Sequence, residues 1–152
     1  MAWVSTVGLS VSGNTITKTA SWAWGNAGGV SSQQIASGDG YVEFSVLTTS
    51  EELMAGLSRG DTNQAWQDID YAVYTYAGKV YVHEAGTSRG VFGVYAAGDR
   101  FRVGVEGVVV KYRRNDVVFY QSPVAPSYPL LLDASLASTG ATISNAVVSS
   151  VQ

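Results

Sequence analysis

Short runs of alternating apolar and polar residues recur along this chain, each closed by a Gly, Asn, Asp, Ser or Pro turn signal, at a spacing of roughly eight to twelve residues. They occupy residues 15–18, 41–47, 53–58, 69–76, 80–84, 91–95, 100–106, 108–113, 117–121, 130–137 and 142–148. A period of two puts alternate side chains on opposite faces of a strand, and no window sustains the 3.6-residue period of a helix. The aliphatic choice agrees, with 22 Val and four Ile against eight Leu. These features predict an all-β chain: an antiparallel two-sheet β-sandwich of jelly-roll type, forming one domain over residues 1–152.

Parity identifies the inward faces. In YVEFSVL the apolar set is Val42, Phe44 and Val46, and in RFRVGVE it is Phe101, Val103 and Val105, with Glu43, Arg100 and Arg102 on the opposite parity. The predicted core adds Ile69, Val110, Tyr112 and Leu131. Two tight hairpins are expected. Asn115 and Asp116 tolerate the positive φ of a type I′ turn, and Gly78 followed by Lys79 suits type II′. Under the second assignment Tyr76 faces Tyr81 and Tyr74 faces His83. Pro123, Pro126 and Pro129 mark an extended crossover rather than a strand.

Composition removes several function classes. There is no cysteine, so thiolate zinc sites are excluded, and the only histidine, His83, leaves no centre built on several imidazoles. A net charge of −3 gives no basic footprint for nucleic acid. No run approaches the roughly 18 apolar residues of a membrane-spanning helix. No basic-then-apolar leader precedes Trp3, so an export signal is expected to be missing from the chain as given. Charged residues make up only 14% of the chain, well below the ~25% usual for globular domains. The surface is therefore mostly Ser, Thr, Asn, Gln and Gly, a composition common in secreted bacterial modules and phage structural proteins.

The stretch GDRFRVGVEGVVVKYRRNDVVFYQS, with YPLLLDASLASTGATISNAVV after a Pro-containing loop, resembles the SPRY-type domains of the concanavalin-like sandwich superfamily. The resemblance is carried by Gly98 and Asp99 before a strand, the Gly-initiated segment 107–115, and Tyr128 with Pro129 opening the next strand. The chain is also similar to a bacterial module of the same sandwich type found in modular surface and polysaccharide-active proteins. There the matching motifs are WGNAG at 24–28, SGDGYVEF at 37–44 and DIDYAV at 68–73. Asp116 stands where the SPRY pattern has Gly, which affects the tightness of that hairpin. The resemblance implies the fold and leaves three roles open, since superfamily members bind sugars, bind peptides or act as catalytic jelly rolls.

Glycoside hydrolysis needs two carboxylates at about 5–10 Å across a cleft, and the resembled hydrolases carry them at Glu-x-x-x-Glu or Glu-x-Asp-x-x-Glu spacing. The five Glu here, at 43, 51, 52, 84 and 106, have no such spacing, so the chain is expected not to be an enzyme. Asp61, Asn63, Asp68 and Asp70 form an oxygen-rich set around one bend that could hold calcium. Without a closing bidentate Glu, however, Asx turns and a solvated strand end with Asp68 and Asp70 on one face account for it, so metal is expected to be dispensable. The RGD tripeptide at 59–61 matches an integrin motif only as three residues do by chance in a Gly-rich chain.

Aromatic residues carry the most information. Tyr74, Tyr76, Tyr81 and His83 put four flat, polar-tipped rings on one sheet face, where the C–H face of a sugar can stack while Asp or Asn accept its hydroxyls. Trp66 lies in a polar loop without a large apolar neighbour in sequence, so it is expected at a contact surface with Asp61, Asn63 and Asp68. Trp22 and Trp24 share a parity, and Trp24 fits a core plug. The reading is a non-catalytic binding module with a glycan or polysaccharide as partner. The sites are Trp66, Asp61, Asn63, Asp68, Asp70, Tyr74, Tyr76, Tyr81 and His83, and the location is extracellular or at a cell surface as part of a larger protein. The alternative is a SPRY-like protein-interaction module, or a phage or surface structural unit whose partner is a protein chain.

Overall fold

In the computed structural model, residues 1–60 and 64–150 are described. The strands are β1 (Trp3–Val7), β2 (Leu9–Ser12), β3 (Thr15–Lys18), β4 (Gly28–Ser31), β5 (Gly40–Val46), β6 (Leu53–Ser58) and β7 (Tyr71–Tyr76), then β8 (Lys79–Glu84), β9 (Thr87–Val94), β10 (Arg100–Glu106), β11 (Val109–Arg114), β12 (Val117–Gln121), β13 (Leu131–Leu136) and β14 (Thr142–Ser150). They pair antiparallel into two seven-stranded sheets. One runs β1-β4-β13-β6-β7-β8-β9 and the other β12-β11-β10-β5-β14-β3-β2. The expected sandwich is what forms. Three strands escaped the sequence reading: β1 (WVSTV), β2 (LSVS) and the Gly-initiated β4 (GGVS), all short runs.

The parity assignment holds on β5, β10 and β11, but not for Leu131, whose neighbours Leu130 and Leu132 take the inter-sheet face, nor for Ile69, which packs with Met54 and Ala72 outside the main core. Val42, Phe44, Val46, Phe101, Val103, Val105, Val110 and Tyr112 are buried between the sheets, and Leu131 and Ile69 are buried as well. Across β5, β10 and β11 the register sets Phe44 beside Phe101 and Val103 beside both Val42 and Tyr112, so the core residues form rows perpendicular to the strands. Fully burying one such side chain contributes roughly 1.5–3 kcal/mol, and rows of this kind fix the register, because a one-residue slip would turn each set outward. On the outer face of the same sheet, Glu43 receives the Arg102 guanidinium at 2.7 Å, and that guanidinium lies 3.7 Å over the Tyr41 ring.

The Asn115–Asp116 hairpin is type I′, with φ of +48° and +75°. The other expected hairpin is corrected. Its turn residues are Ala77 (φ +52°) and Gly78 (φ +76°), another type I′ pair, because Gly serves the second turn position as well as the first. The pairing is therefore Tyr76 with Lys79, Tyr74 with Tyr81 and Ala72 with His83. One residue has moved on each strand, so the faces are unchanged: Tyr74, Tyr76, Tyr81 and His83 still share a side. Residues 122–129 run as an irregular crossover, as the three prolines predicted.

Candidate functional site

Strand β7 decides where the rings go. Tyr71, Val73 and Thr75 face the core, which turns Ala72, Tyr74 and Tyr76 to the outer face of the sheet. On β8 the core-facing residues are Val80, Val82 and Glu84, and Tyr81 and His83 join Tyr74 outside. Tyr74 is the hub of this surface. Its ring centroid lies 6.2 Å from Tyr76, 5.3 Å from Tyr81, 5.1 Å from His83 and 6.0 Å from Trp24. The Tyr74 and Tyr76 planes are within 9° of parallel, whereas His83 meets Tyr74 edge-on.

Two tryptophans from loops complete the group. Trp66 opens a short 3₁₀ turn (Trp66–Asp68) and meets His83 edge-on at 5.4 Å and Trp24 at 6.4 Å. Beneath them Met54, Ile69 and Ala72 form a small buried cluster separate from the main core. Trp66 has no large apolar neighbour in its own segment, but the distant loop 19–27 supplies Trp24, and the ring is half-buried. Trp24 is not a plug of the inter-sheet core, but part of this outer platform. Trp22 projects into solvent at 61% exposure, so the shared parity of the two tryptophans does not survive in a loop that is not extended.

The electrostatics of the platform are mild. The Tyr74 hydroxyl donates to the Glu52 carboxylate, and burial followed by that neighbouring carboxylate pushes the Tyr74 phenol well above its ordinary range. Burial lowers the His83 pKa below its usual value, which favours the neutral imidazole, and its Nδ1 has no hydrogen-bond partner among the described residues. Tyr76, 48% exposed, and half-buried Tyr81 present ring surface to solvent. Such a surface can stack on the C–H face of a pyranose or on a flat side chain.

Among the described carboxylates expected beside the rings, Asp70 goes elsewhere. Asp68 and Asp70 do not share a strand face, since β7 begins only at Tyr71 and Asp68 closes the 3₁₀ turn. Asp70 instead accepts the Arg59 backbone N–H at 2.7 Å. It lines a cleft of about 540 Å³ at the end of the sandwich, with Arg59, Tyr71, Glu84, Arg89 and the crossover residues Val124 and Ser127. The Ala85–Gly86 turn separates this cleft from the platform: Ala85 lines the cleft, and a side chain added at Gly86 would come within 3.8 Å of Trp66. Asp61 and Asn63 lie outside the described residues. No group of three or more acidic or histidine side chains with metal-binding geometry occurs among the described ones.

The cleft has a buried anion at its base. Glu84 accepts hydrogen bonds from Tyr112 Oη at 2.8 Å, Ser122 Oγ at 2.9 Å and Arg89 Nε at 3.0 Å. Burial and this carboxylate push the Tyr112 phenol far up, and burial pushes the Tyr71 phenol to about 12. Sequence reasoning missed Trp24, Glu52 and Glu84 as members of these sites. A Trp in a Gly-rich motif and isolated Glu residues carry no spacing signal, so only the fold brings them together.

No protein-family model matches the chain, and no curated protein matches it. Solved structures do. The SPRY domain of human HERC1 superposes with a TM-score of 0.70 at 15% identity, covering 97% of this chain and 95% of that one. The carbohydrate recognition domain of Emp46p gives 0.64 at 8% identity, covering 97% and 86%. The alginate lyase AlgAT5, of polysaccharide lyase family 7, gives 0.59 at 11% identity, covering 97% and 83%. The chain thus has the SPRY/concanavalin-like sandwich fold, a fold found in SPRY domains, in a carbohydrate recognition domain and in an alginate lyase.

Proposed function

We propose that this chain is a non-catalytic carbohydrate-binding module and that its site is the aromatic platform on the outer face of β7 and β8. The observation that carries this is the continuity of Trp24, Trp66, Tyr74, Tyr76, Tyr81 and His83 across ring contacts of 5.1–6.4 Å on a solvent-facing sheet. A large, polar-tipped aromatic surface beside Glu52 and Lys79 provides both the stacking and the hydroxyl partners that sugars need. The likeness to a carbohydrate recognition domain supports the same reading. The module works outside the cell or at a cell surface, within a larger protein.

A second reading, protein interaction, is favoured by the cleft at the end of the sandwich, where Arg59, Asp70 and Arg89 surround an apolar wall of Val124, Ala125 and Leu130. A glycan array probed with the intact chain and with Tyr76→Ala separates the two. Binding of wild type that Tyr76→Ala weakens supports the platform. Glycan binding unaffected by Tyr76→Ala moves the sugar site off the platform, and no glycan bound at all overturns the carbohydrate reading in favour of protein interaction at the cleft.

A further inference from the structure

Lys18 is among the largest fully buried side chains of this protein, 1% exposed, at the end of β3 with Ile16 on the same inward parity. Its ammonium donates to Ala23 O at 2.7 Å, Asn26 Oδ1 at 2.6 Å and Ala137 O at 2.8 Å. All three N–H groups are used, and every one of these acceptors is a neutral carbonyl. Burying an ammonium without an anion is costly, and an apolar side chain of similar volume would serve packing better. Three directed bonds instead supply geometry, since they fix two points of the loop 19–27 against the end of β13.

The loop contains no strand between β3 and β4, and other bonds hold mainly its two ends. At its start the Thr19 and Ala20 N–H groups donate to Gly8 O at 3.0 and 3.3 Å and Thr139 Oγ1 donates to Ala20 O at 2.7 Å, and at its end the Leu136 N–H donates to Ala27 O at 3.2 Å. In the middle, around Trp24, the Ala23 N–H donates to Ala137 O at 3.1 Å and Asn26 Nδ2 to Ser21 O at 3.1 Å, beside the three bonds from Lys18. Asn26 is thus both an acceptor for Lys18 and a stitch within the loop. This is the loop that lays Trp24 against Trp66 and Tyr74.

We propose that Lys18 is a positioning residue of the aromatic platform: its buried ammonium holds loop 19–27 in the conformation that docks Trp24 on Trp66 and Tyr74. The inference deepens the assignment of that platform as the binding site and rests on it for its functional meaning. The structural half stands separately. A loop released from the ammonium samples other conformations, and a ligand that needs the docked one then binds more weakly in proportion to the docked fraction.

The test compares Lys18→Met, which keeps the stem and removes the donors, with Asn26→Ala, which leaves the ammonium two of its three acceptors. Both are made in a Trp22→Phe background, so that the exposed indole does not mask Trp24. The readouts are far-UV circular dichroism for the sandwich, near-UV circular dichroism and acrylamide quenching for the Trp24–Trp66 pair, and signal on the glycan array. Expected for Lys18→Met are an unchanged far-UV spectrum, a collapsed near-UV signal, clearly increased quenching and array binding weaker by about tenfold, as a docked fraction near one tenth requires. Asn26→Ala shifts the same readouts less, and it decides the matter if Lys18→Met does not fold. Wild-type near-UV spectra and quenching in the folded variants overturn the proposal. If the near-UV and quenching changes are seen but the wild-type chain binds no glycan, the clamp stands and the carbohydrate reading falls.

Discussion

Trp66 and Trp24, carried by two separate loops, meet with ring centroids 6.4 Å apart and planes inclined at 60° over a buried floor of Met54, Ile69 and Ala72. A tryptophan in such a place contributes to stability as well as to any contact surface. Trp66→Ala is therefore expected to lower unfolding free energy by about 1.5–3 kcal/mol, less than the 3–5 kcal/mol of a fully buried Trp because the ring is half-exposed. Urea denaturation followed by far-UV circular dichroism measures it. An unchanged midpoint would place Trp66 outside the scaffold.

Tyr76 behaves differently. It sits at the rim of the platform, 48% exposed, with only Tyr74 stacked beside it. Tyr76→Ala should change stability by no more than about 0.5–1 kcal/mol. It should weaken the strongest glycan-array ligand by roughly three- to tenfold, the equivalent of one lost stacking contact. Titration calorimetry with that ligand, alongside a melt, separates the two effects.

The Tyr74–Glu52 hydrogen bond ties the hub ring to the loop before β6. Tyr74→Phe and Glu52→Gln, alone and combined, form a double-mutant cycle with an expected coupling of about 1–3 kcal/mol, as for a hydrogen bond to a charged group. A coupling near zero in urea denaturation would show that the pair leaves the hub ring to packing alone.

Glu84 is 4% exposed and accepts from Tyr112, Ser122 and Arg89. Removing it leaves the buried Tyr112 and Ser122 hydroxyls without their acceptor. Glu84→Ala should cost about 3 kcal/mol, and Glu84→Gln less, because the amide oxygen still accepts. Chemical denaturation of the two variants gives the order.

Alkaline pH provides a further check. The Tyr71 phenol, held by burial at about 12, and the Tyr74 and Tyr112 phenols, pushed up by burial and their carboxylate neighbours, all titrate above the ordinary tyrosine value of about 10. Between the unfolded and folded values the folded chain binds more protons than the unfolded one, so stability falls as pH rises. The tyrosine contribution is complete below pH ~10, and Tyr71's share is lost as pH climbs from there through about 12. Urea midpoints between pH 8 and 12 should stay level up to pH ~10 as far as tyrosine titration is concerned and decline beyond it, less steeply for Tyr71→Phe.

The alternation of small apolar runs by itself determined the sandwich, because a period of two has one buried face and the residues on it are named by parity alone. Phe44, Phe101 and Val103 needed nothing more. The same arithmetic put Tyr74, Tyr76, Tyr81 and His83 on a shared outer face even though the turn between them was misplaced at Gly78–Lys79, since moving the turn to Ala77–Gly78 shifts both strands together. What only the tertiary structure decided is how loops fall onto that face. Trp24 and Trp66 meet, Glu52 reaches Tyr74, and Asp70 turns away to Arg59 and a different cleft, because loop positions are set by contacts between residues distant in sequence rather than by a local period. Lys18 shows the limit most clearly. On its strand it reads as one polar residue after Ile16, and only the packed sheets, by closing water out and leaving three carbonyls within reach, make it a buried clamp.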